Sequence, residues 1–136
     1  MTRIFLDSAP LIYLTERADA PAAQVQRQLA QWIERGDALV TSSLTLLELL
    51  VHPKRRGDLR LESKYRALLA TLLSDALVPL DERVAELAAQ LRATHKLATP
   101  DAIQAGCAIA SGCDIFYTND KQFMKVPEFT TLLCTA

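Results

Sequence analysis

The sequence predicts an α/β fold in which helices cover a largely parallel sheet. Short apolar runs rich in β-forming residues alternate with longer stretches that have helical periodicity. Strands are predicted over 4–6, 38–41, 76–80 and 114–118, with a possible edge strand over 130–134. Because helices separate consecutive strands, the strands should run in parallel. We therefore expect a four- to five-stranded sheet within a single domain spanning residues 1–136.

Capping residues mark the ends of several predicted helices. Asp81 should cap the helix that follows it, and Thr99 should cap a helix that begins at Pro100. The helix that begins near Ser42 should end at Pro53, because the helix interior disfavours proline. The basic segment 54–58 is then predicted as a turn.

The overall composition excludes several classes of protein. A formal net charge of −1 gives no general attraction to nucleic acid, so binding to RNA would need a local basic patch or a metal ion. No apolar run approaches the length of a membrane span, and the N-terminal apolar run is too short for a signal peptide. The odd number of cysteines, 3, indicates reduced thiols and a cytoplasmic location.

Acidic side chains stand at four positions that a parallel sheet would bring together. Asp7 ends the first predicted strand, Asp120 follows 114–118, and Asp101 opens the helix before that strand. Carboxyl ends of parallel strands share one edge of the sheet, where ligands of open α/β folds bind. Glu48 interrupts a leucine-rich helix, which indicates either this same site, a solvated face or a salt bridge.

Several carboxylates in one pocket repel each other, unless some are protonated or a cation lies between them. Oxygen ligands without histidine or cysteine favour a hard ion, Mg²⁺ or Mn²⁺. Such an ion would stabilise charge on a phosphate and lower the pKa of water. The acids therefore predict a divalent cation site that could act on a polyanion.

Four segments in order, 5–13, 43–48, 99–103 and 118–123, resemble PIN-domain proteins of the VapC type. This resemblance covers essentially the whole chain. It implies a PIN-like three-layer α/β/α sandwich and Mg²⁺- or Mn²⁺-dependent endonucleolytic cleavage of RNA, of the tRNA or rRNA class. It also implies a homodimer that acts as the toxin of a type II toxin–antitoxin pair and is silenced by a VapB-like antitoxin.

The resemblance also assigns residues to the site. Asp7 and Asp101 match the acids expected to bind the metal directly, while Glu48 and Asp120 would complete the catalytic pocket or hold a second ion. The polar residues expected to support the fourth acid are Thr118 and Asn119. One departure is that Ser8-Ala9 stands where many relatives have Thr-Asn after the first acid.

Other features of the sequence leave alternatives open. The basic residues of the predicted turn and of the helix that follows it form either an RNA-contacting rim or a solvated, salt-bridged surface: Lys54, Arg55, Arg56 and Arg60. Asp81 and Asp114 are expected to lie outside the site. A receiver-type phosphorylation switch would use Asp81 and Lys121 and would leave Glu48 and Asp101 unexplained. A PIN-like binding module without catalysis is a further alternative.

Overall fold

The computed structural model describes residues 1–135. Its strands are β1 (Arg3–Leu6), β2 (Ala38–Val40), β3 (Ile115–Thr118) and β4 (Thr130–Leu133). Its α-helices are α1 (Ser8–Glu16), α2 (Ala20–Glu34), α3 (Ser43–Arg56), α4 (Leu59–Leu72), α5 (Glu82–His95) and α6 (Thr99–Ala110), and a 3₁₀ helix covers Lys121–Lys125.

The strands form one parallel sheet in the order β2-β1-β3-β4. Strand β1 pairs with β2 on one side and with β3 on the other, and Leu6 lies opposite Tyr117. The carboxyl ends of β1 and β3 therefore meet at the middle of one sheet edge. This order confirms the predicted parallel sheet and gives it four strands.

Helices cover both faces of the sheet, because alternate side chains of each strand point to opposite sides. Ile4, Leu6 and Tyr117 pack in a core beneath α1 to α4. Phe5 and Phe116 pack on the opposite side with α5, α6 and the 3₁₀ helix, and their rings stack at 5.0 Å. The predicted three-layer α/β/α sandwich is confirmed.

Helices α5 and α6 pack against each other at a glycine. A Cβ atom at Gly106 would lie 3.1 Å from the carbonyl oxygen of Val84 and 3.4 Å from the nitrogen of Ala88. Both neighbours belong to the backbone of α5, which cannot move as a side chain would. Gly106 thus sets the distance between α6, which carries Asp101, and the helix behind it.

The prediction of a strand over 76–80 is wrong. Only Val78 pairs, in a single parallel bridge with Ser42, through hydrogen bonds from Val78 N to Thr41 O and from Ser43 N to Val78 O, both 3.0 Å. Pro79 follows and has no N–H to donate, so the pairing cannot continue.

The prediction that α3 ends at Pro53 is also wrong, because the helix continues to Arg56. Proline removes a donor to the preceding turn but does not prevent later residues from adopting helical dihedrals. Basic side chains in the last turn complement the helix dipole, and Gly57 (φ 63°) closes the helix in a left-handed conformation. Lys54, Arg55 and Arg56 are therefore helical and do not form a turn.

The prediction that Thr99 caps α6 is wrong as well. Thr99 is already helical and Ala98 occupies the cap without a side-chain hydrogen bond. Pro100 lacks one of the amide donors that a cap would satisfy, and the Asp101 carboxylate in the first turn complements the helix dipole. The helix can therefore begin without a capping side chain.

Candidate active site

Asp7 lies at the centre of the candidate site, directly after β1. Its amide donates to the carbonyl of Tyr117 at 3.0 Å, which extends the pairing of β1 with β3 by one residue. Asp7 is also the N-cap of α1, and its Oδ1 accepts a hydrogen bond from Ser8 N at 2.9 Å. The carboxylate is therefore fixed between the sheet edge and the first helix.

Two further side chains donate to Asp7, which is only 9% exposed. Thr118 Oγ1 donates to Oδ2 at 2.7 Å, and Gln104 Nε2 donates to Oδ1 at 3.2 Å. Burial raises the pKa of Asp7, whereas the bonds from Thr118, Ser8 and Gln104 oppose this rise, and the negative charge of Asp120 adds to it. This buried carboxyl is thus held in place but is costly to ionise alone.

The negative charges of neighbouring acids act on Glu48 and Asp101. Burial raises the pKa of Glu48, and the charges of Asp7 and Asp101 raise it further, with Ser8 acting in the opposite direction. Burial also raises the pKa of Asp101, followed by the charges of Asp120 and Asp7. The acids that the sequence singled out therefore occupy one electrostatically coupled region.

Asp120 and Asn119 follow β3 at the same edge. The amide of Asp120 donates to Thr118 Oγ1 at 3.1 Å, and its Oδ1 caps the 3₁₀ helix by accepting from Gln122 N at 2.9 Å. Thr118 thereby contacts both Asp7 and Asp120. The side chain of Asn119 instead donates to the hydroxyl of Tyr13 at 3.0 Å, which ties the strand end to α1.

The acidic side chains of this region suit a hard divalent cation, because carboxylates offer only oxygen atoms as ligands. Oε1 of Glu48 is buried and has no hydrogen-bond partner within residues 1–135, which is a costly state for a carboxylate. No three acidic, histidine or cysteine side chains in these residues come close enough together to hold one ion. Mg²⁺ keeps several waters and often binds only one or two carboxylates, so two of these acids would be enough to hold it.

The basic residues proposed for RNA contact differ in their surroundings. Arg55 and Arg60 are exposed, and Arg56 Nη1 lies 3.4 Å from His52 Nε2. Lys54 Nζ forms a salt bridge with Glu62 at 2.8 Å, so its charge is partly neutralised. Their contact with RNA stays a prediction.

The two acids expected to lie outside the site have other partners. Asp81 caps α5 by accepting from Val84 N at 2.9 Å. Asp114 lies at the opposite end of β3 from the site and accepts from the backbone N of Arg3 at 2.9 Å. Both therefore act in the scaffold.

Sequence reasoning missed three buried polar residues that form a hydrogen-bond network with Asp7: Ser42, Thr45 and Gln104. The helical spacing of Ile103, Gly106, Cys107 and Ala110 predicts a narrow packed face that leaves Gln104 out, whereas α6 is buried on most sides. The available signal was a long polar residue among small apolar ones, the same kind of interruption that drew attention to Glu48.

Comparison with known families assigns the fold. The model of the PIN domain matches residues 4–128. The chain therefore belongs to the PIN-domain family, as its resemblance indicated. A search among curated proteins found no match. Within residues 1–135, no helix is both long and apolar enough to span a bilayer.

Solved structures of toxin–antitoxin proteins have a similar fold. VapBC2 from Rickettsia felis, bound to a DNA fragment from its promoter, has a TM-score of 0.76 at 18% identity and covers 97% of this chain and 98% of that one. A toxin–antitoxin complex from Klebsiella pneumoniae has a TM-score of 0.73 at 23% identity, with 96% and 97% covered. VapC20 from Mycobacterium tuberculosis, a Sarcin-Ricin loop cleaving toxin, has a TM-score of 0.71 at 21% identity, with 91% and 95% covered.

Proposed function

We propose that this protein is a VapC-type toxin, a Mg²⁺- or Mn²⁺-dependent endoribonuclease that hydrolyses phosphodiester bonds of tRNA or rRNA. The observation that carries the proposal is the electrostatic coupling of Asp7, Glu48 and Asp101, together with Asp120, at one edge of a PIN-domain sheet. The similar fold of VapC20, a Sarcin-Ricin loop cleaving toxin, supports this choice of activity.

In this proposal each acid has a defined task. Asp7 and Asp101 would hold the divalent cation, which when bound would supply positive charge to a phosphate and lower the pKa of water. Glu48, with its unpartnered Oε1, accepts a proton from the attacking water, and Asp120 completes the pocket. Thr118 holds Asp7 and Asp120 in a fixed relative position through its hydrogen bonds with both residues.

The test is cleavage of a mixed tRNA and rRNA substrate with Mg²⁺ or Mn²⁺. Asp7→Asn and Asp101→Asn should each reduce the rate by at least about 100-fold, because a neutral amide binds the cation weakly. Asp114→Asn is a matched control, since that acid lies at the other end of β3. Equal cleavage by the parent and both site variants would contradict the proposal.

The partner that we propose is a VapB-like antitoxin that covers the pocket and places an arginine against the acids. Similar structures include toxin–antitoxin complexes, which supports this choice of partner. Co-expression with the adjacent gene should yield a complex without ribonuclease activity. A complex as active as the free chain would contradict this role.

A homodimer in the cytoplasm is the remaining part of the proposal. Leu47 on α3 and Leu80 before α5 are 57% and 58% exposed, which leaves apolar surface that a second copy could cover. Light scattering should give twice the mass of one chain, and a monomer at micromolar concentration would contradict the expected dimer.

The alternatives receive less support from the described residues. A receiver-type switch needs Asp81 as a phosphate acceptor, but that carboxylate caps α5 and is not among the coupled acids. A binding module without catalysis would not need Glu48 in a half-buried position beside Asp7 and Asp101. An acyl-phosphate donor should therefore leave the chain unlabelled.

A further inference from the structure

The side-chain amide of Gln104 lies among the acids yet is only 2% exposed. Burying an amide is unfavourable unless its donors and acceptor all find partners. A leucine or methionine would fill the same volume without this requirement. The hydrogen bonds of the Gln104 side chain must therefore offset the cost of burying its amide.

All three polar contacts of the Gln104 side chain go to other side chains. Nε2 donates to Asp7 Oδ1 at 3.2 Å and to Thr45 Oγ1 at 2.7 Å. Oε1 accepts a hydrogen bond from the hydroxyl of Ser42. Ser42 and Thr45 are fully buried, so water cannot replace Gln104 as their partner without rearrangement.

The chemistry of its neighbours sets the orientation of this amide. An ionised Asp7 carboxylate can only accept hydrogen bonds, so the NH₂ group must face it. The Ser42 hydroxyl then donates to the remaining carbonyl oxygen, while its own oxygen accepts from Thr45 N at 3.1 Å. Nε2 of Gln104 thus acts as a donor to Asp7 and Thr45, and its Oε1 acts as an acceptor from Ser42.

This network connects the elements that carry the acids. Gln104 lies three residues after Asp101 on α6, and its amide contacts Asp7 at the end of β1. Ser42 and Thr45 form the N-cap and first turn of α3, the helix that carries Glu48. One buried side chain therefore joins the three elements on which Asp7, Glu48 and Asp101 depend.

We propose that Gln104 is a positioning residue that orients the Asp7 carboxylate for cation binding and fixes α3 relative to α6. This inference rests on the proposed metal-dependent function. Asp7 accepts from Ser8 N, Gln104 and Thr118, which occupies three of the about four acceptor positions of a carboxylate. These three donors fix the orientation of the Asp7 carboxylate. The direction of its remaining acceptor position is therefore set by the protein and would not depend on a bound cation.

The central test is the Gln104→Met variant, which keeps the length of the side chain and removes both donors. Binding of Mn²⁺ alone, measured by electron paramagnetic resonance, should weaken by about 10-fold or more, as for other groups that orient metal ligands. The rate of RNA cleavage at saturating Mn²⁺ should recover in part, because the defect lies in cation binding.

Thr45→Val is the matched control, because it removes the other acceptor of the same amide and leaves the bond to Asp7. We expect similar losses of thermal stability in both variants but a change in Mn²⁺ affinity of less than about threefold in Thr45→Val. A purely structural role of Gln104 predicts equal effects on Mn²⁺ binding, which would overturn the proposal. Gln104→Met with the parent's Mn²⁺ affinity would overturn it as well.

The parent protein offers a second measurement should Gln104→Met fail to fold. The side-chain NH₂ resonance of Gln104 should shift when Mg²⁺ is added, in parallel with the backbone amide of Ser8. A Gln104 resonance that stays unchanged while Ser8 shifts would contradict the inference.

The two proposals can fail separately. A parent that cleaves RNA, with Gln104→Met indistinguishable from it, removes the positioning role and leaves the nuclease. A parent without ribonuclease activity whose Mn²⁺ affinity still depends on Gln104 removes the nuclease and leaves the positioning role.

Discussion

Thr118 Oγ1 donates a hydrogen bond to Asp7 Oδ2 at 2.7 Å across the β1–β3 pair, although the two residues are 111 positions apart in sequence. The same oxygen accepts from the amide of Asp120 at 3.1 Å. Thr118 is fully buried, so its hydroxyl has no water to replace these partners. One hydroxyl thus sets the spacing of two proposed metal-site acids.

We expect Thr118→Val to reduce RNA cleavage by about 10- to 100-fold, because valine keeps the shape of threonine and loses both hydrogen bonds. Thr118→Ser keeps the hydroxyl and should retain activity within about threefold. Initial rates at fixed Mg²⁺ test this expectation. Equal loss in both variants would show that packing of the methyl group, and not the hydroxyl, is what matters.

Glu48→Gln should stabilise the metal-free protein while reducing its activity. Neutralising this half-buried side chain removes repulsion from Asp7 and Asp101, worth about 0.5–1 kcal/mol after solvent screening. Thermal unfolding in the presence of a chelator should show this gain. Glu86→Gln, an exposed change on α5, should have no effect, and a destabilised Glu48→Gln would contradict the coupling.

The gain from Glu48→Gln should depend on pH in a definite direction. Burial, with the charges of Asp7 and Asp101, raises the pKa of Glu48 above its usual 4.5, so the native state binds a proton more readily than the unfolded chain. The free energy of unfolding of the metal-free parent therefore falls as the pH rises from the usual pKa of Glu48 through its raised pKa in the native state. In urea unfolding, the free energy of unfolding of Glu48→Gln should exceed that of the parent by more at neutral pH than at a pH near the usual carboxyl pKa. A larger difference at the lower pH would contradict this expectation.

Gly106→Ala should destabilise the protein by about 1–3 kcal/mol, although alanine is the better helix former by about 1 kcal/mol. The added Cβ would meet the carbonyl oxygen of Val84 at 3.1 Å, and that atom belongs to a helix backbone. Chemical denaturation measures the change. Gly57→Asn is a useful comparison, because asparagine tolerates the left-handed cap and meets no neighbour there; a stabilised Gly106→Ala would show that α5 can move away.

The native thiols should react slowly with disulfide reagents. Burial raises the pKa of Cys107 to about 11 and that of Cys113 to about 12, and Cys134 is fully buried. At about pH 8 the thiolate fraction of Cys107 then lies about 100-fold below that of an ordinary cysteine. A thiol assay should detect all 3 cysteines in urea and almost none in buffer. Rapid release of one equivalent from the native protein would contradict this expectation.

The sequence draws attention to the acids of the candidate site because each stands where its neighbours are informative. Asp7 interrupts an apolar run at a strand end, and Glu48 interrupts a leucine-rich helix. Such interruptions are visible in the local sequence. The parallel order of the strands then brings the strand ends, including the one before Asp7, to one edge of the sheet. The hydrogen bond of Thr118 to Asp7 required the register of β1 on β3, which no local pattern specifies.

The wrong or missed predictions have different physical causes. Pro53 lies inside α3 because Gly57 and the basic last turn stabilise the helix beyond it. The apolar run at 76–80 pairs only at Val78, since Pro79 has no N–H. Gln104 was missed because its partners come from β1 and α3, which are distant in sequence.

The position of β1 between β2 and β3 has a consequence for synthesis on the ribosome. Strand β1 emerges from the ribosome before β3, which completes its pairing and supplies Thr118. A nascent or prematurely terminated polypeptide that stops before residue 118 lacks the hydroxyl that holds Asp7 and also lacks Asp120. The proposed site can therefore assemble only after β3 has been translated, and we expect fragments that end before β3 to be inactive.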